Sequence, residues 1–176
     1  MGGARVDPGS KTQTAAAELA GLRKVYRAAH GEVTAVDGVS LTVTAGTTMG
    51  LLGPNGAGKT TTVGMLTTRV RPTAGRATVA GLDVARDPVG VRRRIGVVPQ
   101  YNTLDRSCTV AENIRFHCLY FGMNAAEARE RTGTLLEQFR LHDRADAYPQ
   151  QLSGGLAQRL QIARAIAHRP RVLFLD

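Results

Sequence analysis

Eight consecutive residues, Gly53-Pro54-Asn55-Gly56-Ala57-Gly58-Lys59-Thr60, constrain this chain more than any other stretch. They fit the pattern G-x-x-x-x-G-K-[S/T], and the chemistry of a bound polyphosphate explains the spacing. Glycines let the backbone wrap an anion with its N–H groups turned inward. A helix starting near Gly58 aims its positive end at the same anion. Lys59 brings a point charge to the β- and γ-phosphates, and the Thr60 hydroxyl suits Mg²⁺. Thr61 and the loop amides are then left to hold the α- and β-phosphates. Such a loop works between a strand and a helix. The apolar run Met49 to Leu52 reads as the strand leading in, and Lys59 to Thr67 as the helix leading out. The bland alternative, a glycine-rich turn with an incidental lysine, does not account for that setting.

Around the loop the chain changes character twice. Leu19 to Thr44 reads as β, with Leu41, Val43 and Ala45 alternating against Thr42 and Thr44. Gly31 and Asp37-Gly38 are turn signals, the second suited to a hairpin. Ala77 to Val79 and Ile95 to Val98 read as strands with a short arginine-rich helix between them. A helical insert of about residues 102–148 follows. Thr109-Val110-Ala111-Glu112 is a capping box, and Asn124 with Glu127 three positions on opens the next helix. After Pro149 a third helix runs from about Gly155 to His168. Arg171 to Leu175 is a strand, and Asp176 follows it. The expected fold class is therefore α/β: a phosphate-loop core of about residues 19–176, an antiparallel β layer from about Leu19 to Thr48, and the helical insert.

Composition narrows the function classes. A chain of 176 residues suits one domain, and 43% hydrophobic residues is too many for a disordered one. No stretch approaches the roughly 20 apolar residues of a membrane span. Residues 1–18 are Gly-, Ala- and Thr-rich, contain Arg5 and Lys11, and lack the apolar stretch of a signal peptide. They read as a flexible tail on a cytoplasmic protein. The formal charge of +9 could serve nucleic acid, an anionic membrane or phosphate ligands. The arginines are dispersed, however, and with no Trp, four Tyr and four Phe there is no basic-aromatic interleaving for base stacking. No specific nucleic-acid partner is expected. Cys108 and Cys118 have no metal spacing, and Cys118 falls on the apolar side of its helix, as a buried free thiol would. The histidines His30, His117, His142 and His168 show no ligand or triad spacing and receive no chemistry.

Three further segments give the loop a context. Val98-Pro99-Gln100 ends a strand before the insert, Leu152-Ser153-Gly154-Gly155-Leu156-Ala157-Gln158-Arg159 opens a helix, and Arg171 to Asp176 is an apolar strand ending in an acid. In this order they resemble the Q-loop, the LSGG signature and the Walker B strand of ATP-binding-cassette (ABC) nucleotide-binding domains. The resemblance covers about Leu19 to Asp176. Within the family, Gly53 to Thr62 and Leu66 to Gln100 look most like drug-resistance exporter ATPases of actinobacterial type.

The resemblance implies ATP and Mg²⁺ as ligands, held by Gly53, Pro54, Asn55, Gly56, Ala57, Gly58, Lys59, Thr60 and Thr61. It implies Gln100 as the sensor of γ-phosphate, Mg²⁺ or attacking water, with Thr60, Gln100 and Asp176 around the metal. Tyr26 matches the aromatic that stacks on adenine, with packing inside the β layer as the competing reading. Ser153, Gly154 and Gly155, a second helix N-terminus, would face the ATP of a partner subunit. That arrangement implies a second cassette, with a homodimer as the expectation, and a separate membrane permease. The chain would then sit peripherally on the inner face of the cell membrane, powering drug or multidrug export.

Departures from the family pattern shape the alternatives. In the family a glutamate follows the Walker B aspartate, and a D-loop and switch histidine come later. The sequence stops at Asp176, so the expected fold is incomplete at its C-terminus, hydrolysis is expected to be weak or absent, and the strand Val172 to Leu175 is expected to lie exposed. Leu156 stands where the signature usually has Gln, and Thr47 replaces an acid common before the phosphate-loop strand. Two other readings follow: a binding-only fragment without hydrolysis, and a soluble ABC ATPase acting on nucleic acid or ribosomes, which the charge favours slightly.

Overall fold

The computed structural model describes residues 14–28 and 31–176. Most of the tail expected over residues 1–18 lies outside them, but Ala15 to Glu18 already belong to the first strand. β1 (Ala15–Ala28) pairs antiparallel with β2 (Gly31–Thr44) on one side. On its other side it pairs with β3 (Ala74–Val79), which pairs in turn with β4 (Leu82–Asp83). The sheet order is β2-β1-β3-β4. Between β2 and β3 lies α1 (Lys59–Leu66). After β4 come α2 (Pro88–Arg94) and β5 (Ile95–Val98). Three helices follow, α3 (Val110–Tyr120), α4 (Ala125–Gln138) and α5 (Gly154–Ala165). The chain then returns as β6 (Val172–Leu175), parallel to β5, with Ile95 opposite Val172 and Val98 opposite Leu175.

The hairpin expected at Asp37-Gly38 does not form; the pair lies inside β2 as a bulge. From Lys24 to Leu22 on β1 is two residues, whereas their partners Val36 and Val39 are three apart. The extra residue flips the side-chain parity. Val36 is buried at an even position, and Val39, Leu41 and Val43 line the core from odd ones. Gly38 takes the positive φ of 67° that this needs. A second bulge on β1 compensates: Leu19 and Leu22 are three apart against Leu41 and Val39, and the Gly21 N–H donates to Ser40 Oγ at 2.8 Å. The sheet thus keeps one apolar face through both irregularities. Ala17, Leu19, Leu22, Val36, Ala77 and Val79 pack there on Met65 and Leu66 of α1, Val91 of α2 and Ile95 of β5.

The helical half has its own core of Val110, Ile114, Cys118, Ala128, Leu135, Leu136 and Leu141, completed by Leu160 and Ala163 of α5. Local sequence explains why its helices begin where they do. Thr109 and Glu112 cap α3 reciprocally, as do Asn124 and Glu127 for α4. Asn113 is the polar exception in this core. Its amide donates to the carbonyls of Asp105, Cys108 and Thr109, and its Oδ1 accepts from the Asp105 N–H, so it fixes the loop ahead of α3.

Met49 to Leu52, expected as a strand, has no ladder partner among the described residues and forms no regular element. Leu52 is 96% exposed, and on the outer side of β6 Leu175 is 68% exposed. An apolar pattern specifies that a segment suits a sheet, whereas its hydrogen bonds must come from strands elsewhere in the chain.

Candidate functional site: a phosphate cradle and a second helix terminus

The loop Gly53 to Gly58 is held by its glycines at two points. Gly56 and Gly58 both adopt φ of 83°. A side chain at Gly58 would also strike the Ala35 carbonyl oxygen of β2, so only glycine fits between that strand and α1. α1 has no side-chain cap. Its first partnered N–H is that of Thr62, bonded to Gly58 O at 2.8 Å; among the described residues the N–H groups of Gly58 to Thr61 find no backbone acceptor. Four free donors and the positive end of a helix therefore share one exposed turn.

Lys59 occupies the centre of this turn. Its Nζ donates to the carbonyls of Gly53 at 2.6 Å and Pro54 at 2.7 Å, so the loop closes around its own cation. Thr60 is exposed and Thr61 half-buried in the same turn. This donor set suits a polyphosphate, and the hydroxyl of Thr60 with the carboxylate of Asp176 suits a hard cation such as Mg²⁺.

Gln100 and Asp176 stand on neighbouring strand ends. The ladder of β5 and β6 extends one step further through the Asp176 N–H, which donates to Val98 O at 3.0 Å. Gln100 is exposed two residues beyond Val98. The Asp176 side chain, only 17% exposed, pairs with Arg69 Nη2 at 3.0 Å. Arg69 lies three residues past the C-terminal end of α1, whereas Thr60 is in its first turn. Among the described residues no hydrogen bond joins Thr60, Gln100 and Asp176, and the arginine that holds the acid had no signal in the local sequence.

Tyr26 lies on β1 opposite Val33, 40% exposed and outside the buried cluster. Lys24 Nζ sits 4.9 Å from its ring centroid. More than a third of this aromatic is therefore open to solvent, with Lys24 beside its ring. At the other site, Ser153 caps α5 by accepting the Leu156 N–H at 3.4 Å. Nothing lies within 4 Å of where a side chain at Gly154 or Gly155 would project, so this helix end is open.

The structure also brings together residues that the sequence left without a role. His117 of α3 and His168, three residues past α5, face each other with Nε2 to Nδ1 at 3.2 Å. His168 Nε2 lies 2.9 Å from the Ile95 carbonyl. A carbonyl only accepts, so Nε2 of His168 carries the proton, its Nδ1 accepts, and His117 donates. Phe121 stacks on His168 at 3.8 Å. Burial first, then the nearby His168 and Arg164, push the His117 imidazole down to about 4. Burial also lowers His168, opposed by its bond to Ile95.

Comparison with known proteins converges on one family. The sequence matches the family described as ABC transporter over residues 36–176. It is 46% identical over 162 residues to the Nod factor export ATP-binding protein I of Paraburkholderia xenovorans (strain LB400), covering 92% of this chain and 52% of that protein. It is 50% identical over 147 residues to the daunorubicin resistance ATP-binding protein DrrA2 of Streptomyces coeruleorubidus, covering 84% of this chain and 46% of that one. The fold resembles a dimeric ATP-binding cassette solved in a post-hydrolysis state with ADP and Pi, at a TM-score of 0.81 and 28% identity, covering 91% of this chain and 73% of that chain. The chain spans about half the length of the curated relatives it matches.

Proposed function

We propose, from the premise that this chain belongs to the ABC transporter family, that it is the ATP-binding subunit of an exporter of the drug-resistance type and drives a separate membrane permease. The curated relatives named for daunorubicin resistance and Nod factor export support the export role. The observation that carries the reading is the unpartnered first turn of α1 behind the glycine loop, with Lys59 already at its centre.

In this reading the phosphates of ATP enter the turn and take the N–H groups of Gly58 to Thr61. Lys59 exchanges the carbonyls of Gly53 and Pro54 for β- and γ-phosphate oxygens. Mg²⁺ would supply neutralising charge to the phosphates. Thr60 and Asp176 would hold it, which requires the Asp176 carboxylate to leave Arg69. Gln100, two residues past the end of β5, would meet the γ-phosphate. Tyr26 offers its exposed ring to the adenine.

Ser153, Gly154 and Gly155 present a second anion-binding helix end on the same chain, open for a phosphate brought by another subunit. Two sites on one chain fit a head-to-tail homodimer with ATP between the copies. No helix among the described residues is long and apolar enough to cross a membrane. The proposal places the chain peripherally on the inner membrane face, bound to its permease.

Thermal unfolding with and without MgATP tests the nucleotide site. A ligand at about 100 times its dissociation constant stabilises the folded state by roughly 2.7 kcal/mol. The expected result is an upward shift that Lys59→Ala abolishes. An identical melting temperature with and without MgATP overturns the reading.

A further inference from the structure

We propose that Arg164 is a positioning residue that ties the segment after Gln100 to α5, so that a γ-phosphate met by Gln100 is felt at Ser153 to Gly155. The proposal rests on the reading of the loop as an ATP site and of Gln100 as its γ-phosphate contact.

Arg164 grips one residue with two prongs. Nη1 donates to the Thr103 carbonyl at 2.7 Å and Nη2 to Thr103 Oγ1 at 2.6 Å. Thr103 is three residues past Gln100, in the connection from β5 to α3. No carboxylate lies within ion-pairing distance of the guanidinium among the described residues, and burial lowers its pKa, with Asp105 opposing from a distance. A desolvated cation is an expensive way to fill space beside a threonine. A planar fork with fixed donor directions is what a geometric clamp requires.

A second attachment lies just past the helix. His168, three residues beyond α5, donates to the Ile95 carbonyl at 2.9 Å. Arg164 and His168 therefore bracket β5, at Ile95 where the strand starts and at Thr103 beyond Gln100 where it has ended. Gly96 lets the helix approach, since a side chain there would strike the Ala165 carbonyl oxygen. The far end of the connection is fixed independently by Asn113. Gln100 and Tyr101 are thus an exposed step between a strand end and a clamp. A displacement of Gln100 passes to Thr103 and from there to Arg164.

From Arg164 the helix carries the displacement about 15 Å to Gly154. Leu160 and Ala163 are fully buried, so this part of α5 moves as a body. Gln161, one turn before Arg164 on the same face, has a buried Oε1 with no hydrogen-bond partner among the described residues. A face built only for packing would carry an apolar side chain there, because a buried acceptor without a donor is destabilising.

Hydrogen exchange of the purified protein, followed by mass spectrometry with MgATP and with MgADP, tests the clamp. In the unsubstituted chain both nucleotides are expected to protect Gly53 to Thr61. Exchange across Gly154 to Leu160 is expected to differ at least two-fold between MgATP and MgADP. Arg164→Met, which keeps the volume and removes the donors, is expected to erase that difference while MgADP protection of the loop persists; Arg164→Lys is expected to restore part of it. If Arg164→Met no longer unfolds cooperatively, Thr103→Val replaces it, with the difference expected to shrink by half or more. Persistence of the full difference in the folded variant overturns the clamp. A protected loop with no difference in the unsubstituted α5 also overturns it and leaves the nucleotide site standing. A loop protected by neither nucleotide overturns the nucleotide reading and the clamp with it.

Discussion

His117 and His168 show how a pair of side chains acquires a property that neither has alone. Each is half-buried, and the described residues give each proton one partner: His117 to His168, His168 to Ile95. The folded state favours neutral His117, whose pKa of about 4 lies well below its usual 6.5. Its contribution to stability is therefore present above pH 6.5 and is lost as pH falls from there towards 4. The linkage is on the order of 3 kcal/mol across that window. Urea denaturation at pH 7.5, 6 and 5 is expected to show falling stability in the unsubstituted chain and a shallower slope in His117→Phe. Equal slopes would mean the imidazole titrates as freely folded as unfolded. None of this was legible in the sequence, because the two histidines are 51 positions apart and share no motif spacing. The phosphate loop stood out because its chemistry is written into neighbouring residues, and Gln100 and Ser153 stood out through the family resemblance of the segments around them. Arg69 and Arg164 act across 107 and 61 positions, and only the fold sets them against Asp176 and Thr103.

At the scale of elements, helix starts and most strands followed from local pattern, whereas strand register and pairing did not. Capping boxes placed the starts of α3 and α4, since all their partners lie within one turn. Asp37-Gly38 carries the same residue types whether it reverses the chain or bulges within a strand, because both uses need glycine at positive φ. The choice falls to the register of β1, where Gly21 supplies the matching irregularity. A side chain at Gly38 would project into open space, so substitution there tests backbone conformation alone. Gly38→Val is expected to lower unfolding free energy by about 1–2 kcal/mol in chemical denaturation. An unchanged midpoint would show that β2 tolerates a shifted register. Met49 to Leu52 illustrates the opposite error: its apolar pattern reads as a strand, yet among the described residues no neighbour supplies a ladder.

Among the described residues there are two cores, one under the β layer and one among the helices, with α5 contributing to the second and His168, just past it, bonded to β5 of the first. The two helix ends proposed to bind phosphate lie on α1 and α5, far apart in the sequence. In the proposed dimer a second copy would offer its α5 terminus to the first copy's α1, a symmetric pair in which each nucleotide would touch both chains. Light scattering at rising protein concentration is expected to show a dimer with MgATP and a monomer without nucleotide. Ser153→Arg, which fills the open helix end, is expected to keep the chain monomeric in both conditions. A mass that never depends on MgATP would remove the shared-site arrangement. Lys59, finally, shows where the loop has already met part of the cost of holding an anion. Its ammonium is seated on the Gly53 and Pro54 carbonyls, so in the proposed nucleotide site little of its side-chain freedom remains to be lost when a phosphate arrives.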